Sequence, residues 1–534
     1  MCVRPLWIAG LAAALLAGGS AAGANRDAQA LAEKIDQHIA QRWTETQTQP
    51  ATRADDAEFL RRVYLDLAGR IPSVKEARMF LDDRRPDKRT RLVEQLLDGS
   101  RYVAHFTNVW RALLLPEAGN NFQVRLQQAN FEAWVKRKVA QNAGYDEMAR
   151  DLLTFPIGQR SPNDLFGGGE PTPLAFYSAK EFKPENLAAS TARVFLGISA
   201  ECAQCHNHPF ASWKREQFWG FAAFYAGIKS RRTQDLVLPE REIADKRELI
   251  IPGTERVAQA TFLDGGEPVW KSKTSARATL AEWMTAPANP YFARAGANRL
   301  WAYFFGAGLI DPVDEMVGGD RQASHPELLD LLAREFADHK YDVKFLIRAI
   351  TASRAYQLSS AAAHKSPDDR TLFARMPLRG LTAEQLFDSV TMATGLRDSG
   401  GGDDLLSAVF GGKRSARSEF LTRFANQSER ATESQTSILQ ALSLMNGKVI
   451  ADATSLEHSE TLAAIVESPF ATTTERLEAL YLATLSRRPT AKELSRTLQF
   501  VNDAAGRGKE GAYNEALADV FWALLNSPEF GLNH

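Results

Sequence analysis

Short amphipathic segments, each bounded by residues that start or stop a helix, recur through most of this chain. Phe59, Val63 and Leu67 lie four residues apart and would share one face of a helix. A Gly-Arg-Ile-Pro sequence then interrupts the pattern, and Ser73 with Glu76 has the spacing of a capping box. Because an amphipathic helix must bury its apolar face against another element, such a series predicts packed helices.

The same signals continue toward the end of the chain. Asp87 stands where a third helix would begin, before a run of leucine and valine residues at helical spacing. Ser324 and Glu327 have the spacing of another capping box, as do Thr490 and Glu493. These positions predict helix starts well beyond the middle of the sequence.

Residues 229–275 depart from the helical pattern. The runs 248–251 and 257–263 have the composition of short strands, and a Pro-Gly pair lies between them. We therefore predict a mainly α fold in which two helical domains, residues 35–228 and 276–534, are joined by a small β-containing segment. A chain of 534 residues, 44% hydrophobic and 24% charged, has the length and composition of a globular protein with two or three domains.

Residues 1–24 have the composition of an export signal. Arg4 precedes a short apolar run, and Ala22-Gly23-Ala24 has the small residues of a cleavage site. The apolar run is short for a membrane span, although an uncleaved anchor is the other interpretation. We expect cleavage near Ala24, a mature chain without a membrane span, and a periplasmic or extracellular location.

The mature chain would then contain two cysteines, and both belong to one motif. Cys202, Cys205 and His206 have the C-x-x-C-H spacing of covalent c-type haem attachment. In such a site both thiols bond to one porphyrin and the histidine is an axial ligand of the iron. Haem attachment of this kind takes place outside the bacterial cytoplasm, so the motif and the export signal agree. The sequence thus predicts an exported haem protein with an electron-transfer or redox role.

The same stretch permits other chemistry. Zinc is held by four nitrogen and sulfur donors, and Cys202, Cys205, His206 and His208 supply four, although all lie within seven residues. The two thiols could also form a disulfide or a redox-active pair. Three classes of function follow: a haem-containing redox protein, an exported metal-dependent enzyme such as a hydrolase, and an interaction module stapled by its Cys-His site.

Motifs in both halves of the chain resemble a pair of exported domains of unknown function known from planctomycetes. The first is a cytochrome-type domain, and the second is its usual companion. Matching motifs span residues 59–72, 195–206, 298–301, 305–310, 325–330 and 525–530. The resemblance covers roughly residues 35–534. It implies a cytochrome-type domain containing the cysteine motif, but no established activity.

Candidate residues outside the motif are few. His325 lies in a motif of the companion domain and is the first choice for a distal iron ligand or a catalytic group, ahead of Met284, Met316 and Met445. Arg299 could bind an anionic partner or pair with the acidic residues that follow it. Those acidic residues are Asp311, Asp314, Glu315 and Asp320.

Other functions find little support in the sequence. The net charge is −1, and because Arg4 is the only charged residue of the predicted signal it becomes −1 − 1 = −2 after cleavage. This balance does not favour nucleic-acid binding, which needs a basic surface. No nucleophile elbow, zinc-protease helix or phosphate loop is present. The expected partner is an exported or redox protein, and whether the chain is an enzyme is left open.

Overall fold

A computed structural model shows a mainly α protein, as predicted. It describes residues 9–119, 121–158, 169–207, 213–233, 236–317, 322–361, 370–396, 417–418, 420–421, 453–506 and 511–534. Within this part of the chain no helix is both long and apolar enough to cross a membrane.

The helices of the first half follow one another closely. They are α1 (Ala9–Glu45), α2 (Asp56–Ala68), α3 (Val74–Leu81), α4 (Lys88–Leu97), α5 (Ser100–Leu114), α6 (Phe122–Ala140), α7 (Tyr145–Leu153), α8 (Leu174–Ala179), α9 (Pro184–Thr191) and α10 (Arg215–Ala222). Those of the second half are α11 (Ala276–Met284), α12 (Phe292–Phe305), α13 (Pro326–Asp338), α14 (Val343–Ala352), α15 (Ala383–Thr394), α16 (Glu460–Glu467), α17 (Thr473–Leu485), α18 (Ala491–Ala505) and α19 (Ala512–Leu525).

The strands form three small antiparallel pairs. They are β1 (Ile228–Thr233) with β2 (Leu236–Glu242), β3 (Glu248–Ile250) with β4 (Val257–Gln259), and β5 (Arg379–Gly380) with β6 (Leu532–Asn533). Both strands predicted between residues 248 and 263 are present, the second ending four residues early. The β1–β2 ribbon was not predicted, because its charged sequence lacks the apolar alternation of a half-buried strand.

Two of the three predicted capping boxes are confirmed. Ser73 accepts the Glu76 amide while the Glu76 carboxylate accepts the Ser73 amide, and Thr490 with Glu493 does the same at α18. Asp87 occupies the N-cap position of α4, but its side chain makes no capping hydrogen bond.

The third capping box, at Ser324, was wrong. The N-cap residue of α13 is His325. Ser324 Oγ donates instead to the carbonyl oxygen of Leu309, at 3.2 Å. A partner from a distant part of the chain has replaced the local one that the spacing predicted.

The described chain divides into two compact units, each made of separate stretches. The first comprises Met1–Thr48, Phe106–Tyr356 and Pro367–Phe373, and the second comprises Gln49–His105, Gln357–Ser366 and Ala374–His534. Both units therefore take segments from the two halves of the sequence. The predicted domains, residues 35–228 and 276–534, are continuous segments of the sequence, and that division stays a prediction.

Aromatic side chains form the centre of the first unit. The buried ring of Tyr145 lies 4.8 Å from that of Phe292 and 5.7 Å from that of Phe195, measured between centroids. The Tyr145 hydroxyl donates to the carbonyl oxygen of Val194 at 3.3 Å. These contacts fix the end of the helical segment that leads to the cysteine motif.

A buried arginine joins three elements of the same unit. The Arg277 side chain is 1% exposed and forms an ion pair with Glu242 of β2. It also donates to the carbonyl oxygens of Leu153 (2.7 Å) and Phe155 (3.0 Å) and to the Tyr177 hydroxyl (2.9 Å). This arginine therefore ties α11 to β2 and to the end of α7.

In the second unit, α2 is held to the C-terminal segment by two buried arginines. Arg61 donates to the carbonyl oxygens of Phe530, at 2.7 Å, and Thr484, at 3.0 Å. Arg62 donates to the carbonyl oxygen of His534, at 3.1 Å. Leu65 belongs to a core cluster formed mainly by the helices between residues 383 and 525.

Candidate functional site

The segment before the cysteine motif is a helix that changes its winding. The α9 helix continues into a π-helical turn, Ala192–Leu196, and ends at Gly197. Gly197 has φ +66°, in the left-handed region that glycine adopts without steric cost. The helical segment thus ends at a glycine, the residue most common at helix C-termini. Turns of π-helix are rare and are found frequently at functional sites.

The motif itself begins on a short 3-10 turn, Glu201–Gln204. Side chains three residues apart eclipse one another in such a turn, so Cys202 and Cys205 lie toward the same side of it. Both cysteines are exposed free thiols. Ala203 between them is fully buried and anchors the turn on the protein. The fold therefore presents both thiols to solvent from a fixed base.

His206 follows on the surface, with its ring oriented by the backbone. Its Nδ1 lies 2.7 Å from the carbonyl oxygen of Asn207. A carbonyl oxygen only accepts hydrogen bonds, so Nδ1 carries the proton and Nε2 keeps its lone pair. Histidines that bind a metal usually have this arrangement, in which the second ring nitrogen donates to a carbonyl or carboxylate.

The α10 helix holds the turn from one side. Gln204 carries a carbonyl oxygen that accepts from Trp219 Nε1 at 3.0 Å and from Arg215 Nε at 3.2 Å. The Asn207 side chain accepts from the Arg215 amide at 3.0 Å. The role of Arg215 could not be predicted from the sequence, because hydrogen bonds to a backbone carbonyl produce no characteristic residue spacing.

Aromatic residues are frequent between residues 213 and 225, shortly after the motif. Trp219 contacts the motif, and Trp213 Nε1 donates to the carbonyl oxygen of Val317 at 3.4 Å. Phe224 stacks on Phe262 with centroids 5.2 Å apart, and the Tyr225 hydroxyl bonds to that of Thr191 at 2.7 Å. Phe224 and Tyr225 are therefore core residues, whereas Trp219 bonds to the backbone of the motif.

The loop after α12 lies against the segment that leads to the motif. The Met316 amide donates to the carbonyl oxygen of Gly197 at 2.8 Å, and Glu315 forms a β-bridge with Ile198. Arg299 donates to Asp314 at 2.6 Å and to the carbonyl oxygen of Arg193 at 3.0 Å. Of the two interpretations offered for Arg299, the structure shows the ion pair with the acidic loop. Asp320, the last of those acidic residues, lies outside the described residues.

His325 is buried in a different environment. Its Nδ1 lies 3.1 Å from Ser324 Oγ, and its ring lies 5.5 Å from that of Phe373. The pKa of His325 is lowered to about 4, chiefly by burial and additionally by the charges of Arg42 and His38 on α1. Contacts between His325 and the cysteine motif are not observed in the described part of the chain. The structure thus places His325 beside α1 and Phe373.

The remaining predicted donors are distributed as follows. Met284 is fully buried in α11, as expected of a core residue. Met316 is half-buried beside Gly197. Met445 and His208 lie outside the described residues. Among the residues that are described, no group of three or more His, Cys, Asp or Glu side chains is placed to hold a metal ion.

These features define a class of protein: a mainly α chain that presents a C-x-x-C-H motif on a surface turn. Residues 34–230 match the family model PSCyt2, described as a protein of unknown function (DUF1549). Residues 276–501 match PSD1, described as a protein of unknown function (DUF1553). The two matches follow in the order that the sequence motifs indicated. No curated protein and no solved structure matches the chain.

Proposed function

We propose that this protein is an exported c-type haem protein with an electron-transfer or redox role. The observation that carries the proposal is the arrangement of one surface turn. There two exposed free thiols precede a histidine whose Nδ1 donates to a backbone carbonyl. These are the donors that a covalently attached haem requires.

The residues of the turn have separate tasks in this proposal. Cys202 and Cys205 would hold the haem through two thioether bonds, each formed by addition of one S–H across one vinyl group, which consumes no oxidant. His206 would offer its Nε2 lone pair to the iron. The bound haem would supply an iron centre that cycles between its ferrous and ferric states.

The surroundings of the turn support the same use. Trp219 and Arg215 bond to the Gln204 carbonyl between the two cysteines and restrict movement of the backbone there. Ligands that are held rigidly move little when the charge of a bound iron centre changes. Because both thiols are exposed, an attachment enzyme and a partner protein can reach them.

Compartment and partner follow from the same chemistry. We infer export through the first 24 residues, because covalent haem attachment in bacteria takes place outside the cytoplasm. The partner would be another exported protein that exchanges electrons with this one. The name PSCyt2, which contains an abbreviation used for cytochromes, accords with the proposal.

The first test is the visible spectrum of the full chain made in a bacterial host with the cytochrome c maturation machinery. We expect a Soret band that stays with the denatured polypeptide. The measured mass should equal that of one haem plus a polypeptide that begins near residue 25. The double variant Cys202→Ala with Cys205→Ala should lose the adduct. The matched control His208→Ala, next to the motif, should keep it.

The alternatives predict different results from the same samples. A zinc site formed by Cys202, Cys205, His206 and His208 would give no Soret band and one bound zinc, lost with folding in His208→Ala. Protein with neither haem nor metal would leave the Cys-His stretch a structural element. Either outcome would contradict the haem proposal.

A further inference from the structure

The β1–β2 ribbon brings three positive side chains together. Lys229 of β1 lies directly opposite Arg241 of β2 in the antiparallel register. Residues opposite one another on such strands point to the same face of the sheet. Lys246 follows β2 in a turn closed by the hydrogen bond from its amide to the carbonyl oxygen of Ile243, at 3.2 Å. We call Lys229, Arg241 and Lys246 the cationic cluster.

Two carboxylates near the cationic cluster are already bound by other basic residues. Arg232 on the same strand pairs with Glu181 at 3.2 Å, and the Glu242 carboxylate is bound by Arg277. For the side chains of the cationic cluster, the described part of the structure contains neither an ion pair nor a hydrogen bond to an acidic residue. Among the described residues, three positive charges therefore meet here without a carboxylate partner.

The cluster is electrostatically unfavourable when empty. The nearby charge of Lys246 lowers the pKa of Lys229, and partial burial and the charge of Arg241 lower it further. Among the described residues, no carboxylate raises the pKa of Lys229 to offset these effects. Like charges directly opposite in a sheet are destabilising, so a folded chain that keeps them side by side is suited to an anion between them.

We propose that the cationic cluster binds a divalent tetrahedral oxyanion, the chemistry shared by phosphate and sulfate groups. Two ammonium groups act as point donors, and the guanidinium of Arg241 can donate two parallel hydrogen bonds to a pair of oxygens. An anion bound there would remove the mutual repulsion of all three side chains. The site does not depend on the haem proposal, because it uses none of the residues of the cysteine motif.

The test compares sulfate with chloride at equal ionic strength, using the full mature chain in low-salt buffer. Thermal unfolding is followed by circular dichroism while either salt is added. A bound ligand raises the unfolding midpoint in proportion to its occupancy, whereas screening of charges depends on ionic strength alone. We expect sulfate to raise the midpoint more than chloride does. Equal effects of the two salts would overturn the proposal.

Variants locate the effect. Lys229→Gln and Lys246→Gln should each raise the apparent dissociation constant for sulfate about tenfold. Without sulfate both variants should be no less stable than the wild type, because each substitution removes charge repulsion. A loss of sulfate binding in these variants could then not be explained by misfolding. Lys271→Gln is the matched control, since Lys271 is exposed and pairs with Glu282 at 2.5 Å. If Lys229→Gln and Lys246→Gln weakened sulfate binding no more than Lys271→Gln does, the proposal would also be overturned.

The source of the oxyanion is distinguished by two further titrations. Inorganic phosphate and phenyl phosphate are compared in the same assay. Binding of both would assign the site to phosphate monoesters, and binding of the inorganic ion alone would assign it to the free ion. If neither raised the midpoint above the chloride value, the cationic cluster would not be an oxyanion site.

Discussion

At the scale of single residues, Gly197 is the most constrained position on the approach to the cysteine turn. A Cβ added there would lie 2.7 Å from the Met316 sulfur and 3.2 Å from the carbonyl oxygen of Val313. Its φ of +66° is also a conformation that other residues adopt with strain. Two independent costs therefore restrict this position to glycine.

We expect Gly197→Ala to lower the free energy of unfolding by about 1–3 kcal/mol, through backbone strain and displacement of Met316. Urea denaturation of the wild type and the variant measures the change. Gly158→Ala is the control, because no atom of the described residues lies within 4 Å of an added Cβ and its φ is not left-handed. A loss no greater than that of the control would show that Met316 and the turn adjust freely.

At the scale of elements, the first unit depends on a polar contact inside its core. Arg277 on α11 satisfies a carboxylate of β2 and two carbonyl oxygens at the end of α7. Removing one partner of a buried ion pair leaves the other charged and unsolvated, which is costly. Several elements would lose their common hydrogen-bond donor at once.

Arg277→Met keeps much of the side-chain volume but leaves the part-buried Glu242 carboxylate without its cation. We expect it to reduce the free energy of unfolding by about 3–5 kcal/mol, measured by chemical denaturation. In the exposed pair of Lys271 and Glu282, Lys271→Met should cost less than about 1 kcal/mol. Similar losses for the two variants would mean that Arg277 contributes through its apolar stem alone.

Local rules explain which elements could be predicted from the sequence. The starts of α3 and α18 were identified because a capping box needs only a serine or threonine and a glutamate three residues later. A glycine that ends a helix in the left-handed conformation, as Gly197 does, is a local signal of the same kind. All of these signals act within one turn of helix, where chain neighbours alone decide the conformation.

Non-local contacts explain what could not be predicted. Ser324 bonds to Leu309 instead of capping α13, and the buried arginines 61, 62 and 277 have the appearance of surface residues in the sequence. At the candidate site the three motif residues were identified by spacing. The hydrogen bonds of Arg215 and Trp219 to the Gln204 carbonyl were not, because their partner is backbone.

At the scale of the whole molecule, each compact unit contains a histidine that burial keeps uncharged. Burial lowers the pKa of His325 in the first unit to about 4 and that of His105 in the second to about 4. In the unfolded chain a histidine has a pKa near 6.5. Between these values the unfolded state binds protons that the folded state does not.

Stability must therefore decrease as the pH falls from about 6.5 toward 4, since protons favour the unfolded chain in that interval. We expect each histidine to contribute a loss of about 1–3 kcal/mol between pH 7 and pH 4.5. A plot of the free energy of unfolding against pH should be less steep in this interval for His325→Gln and for His105→Gln than for the wild type. Unchanged slopes in both variants would contradict this account.

The order of synthesis has a consequence for the second unit. Arg61 donates to the carbonyl oxygen of Phe530, 469 positions further along the chain. Contacts that close such long loops carry a high entropic cost and form late in folding. While residues 530–534 are still missing, Arg61 lacks the carbonyl oxygen of Phe530 and Arg62 lacks that of His534. A nascent chain would therefore complete the packing around α2 only after residues 530–534 have been synthesised.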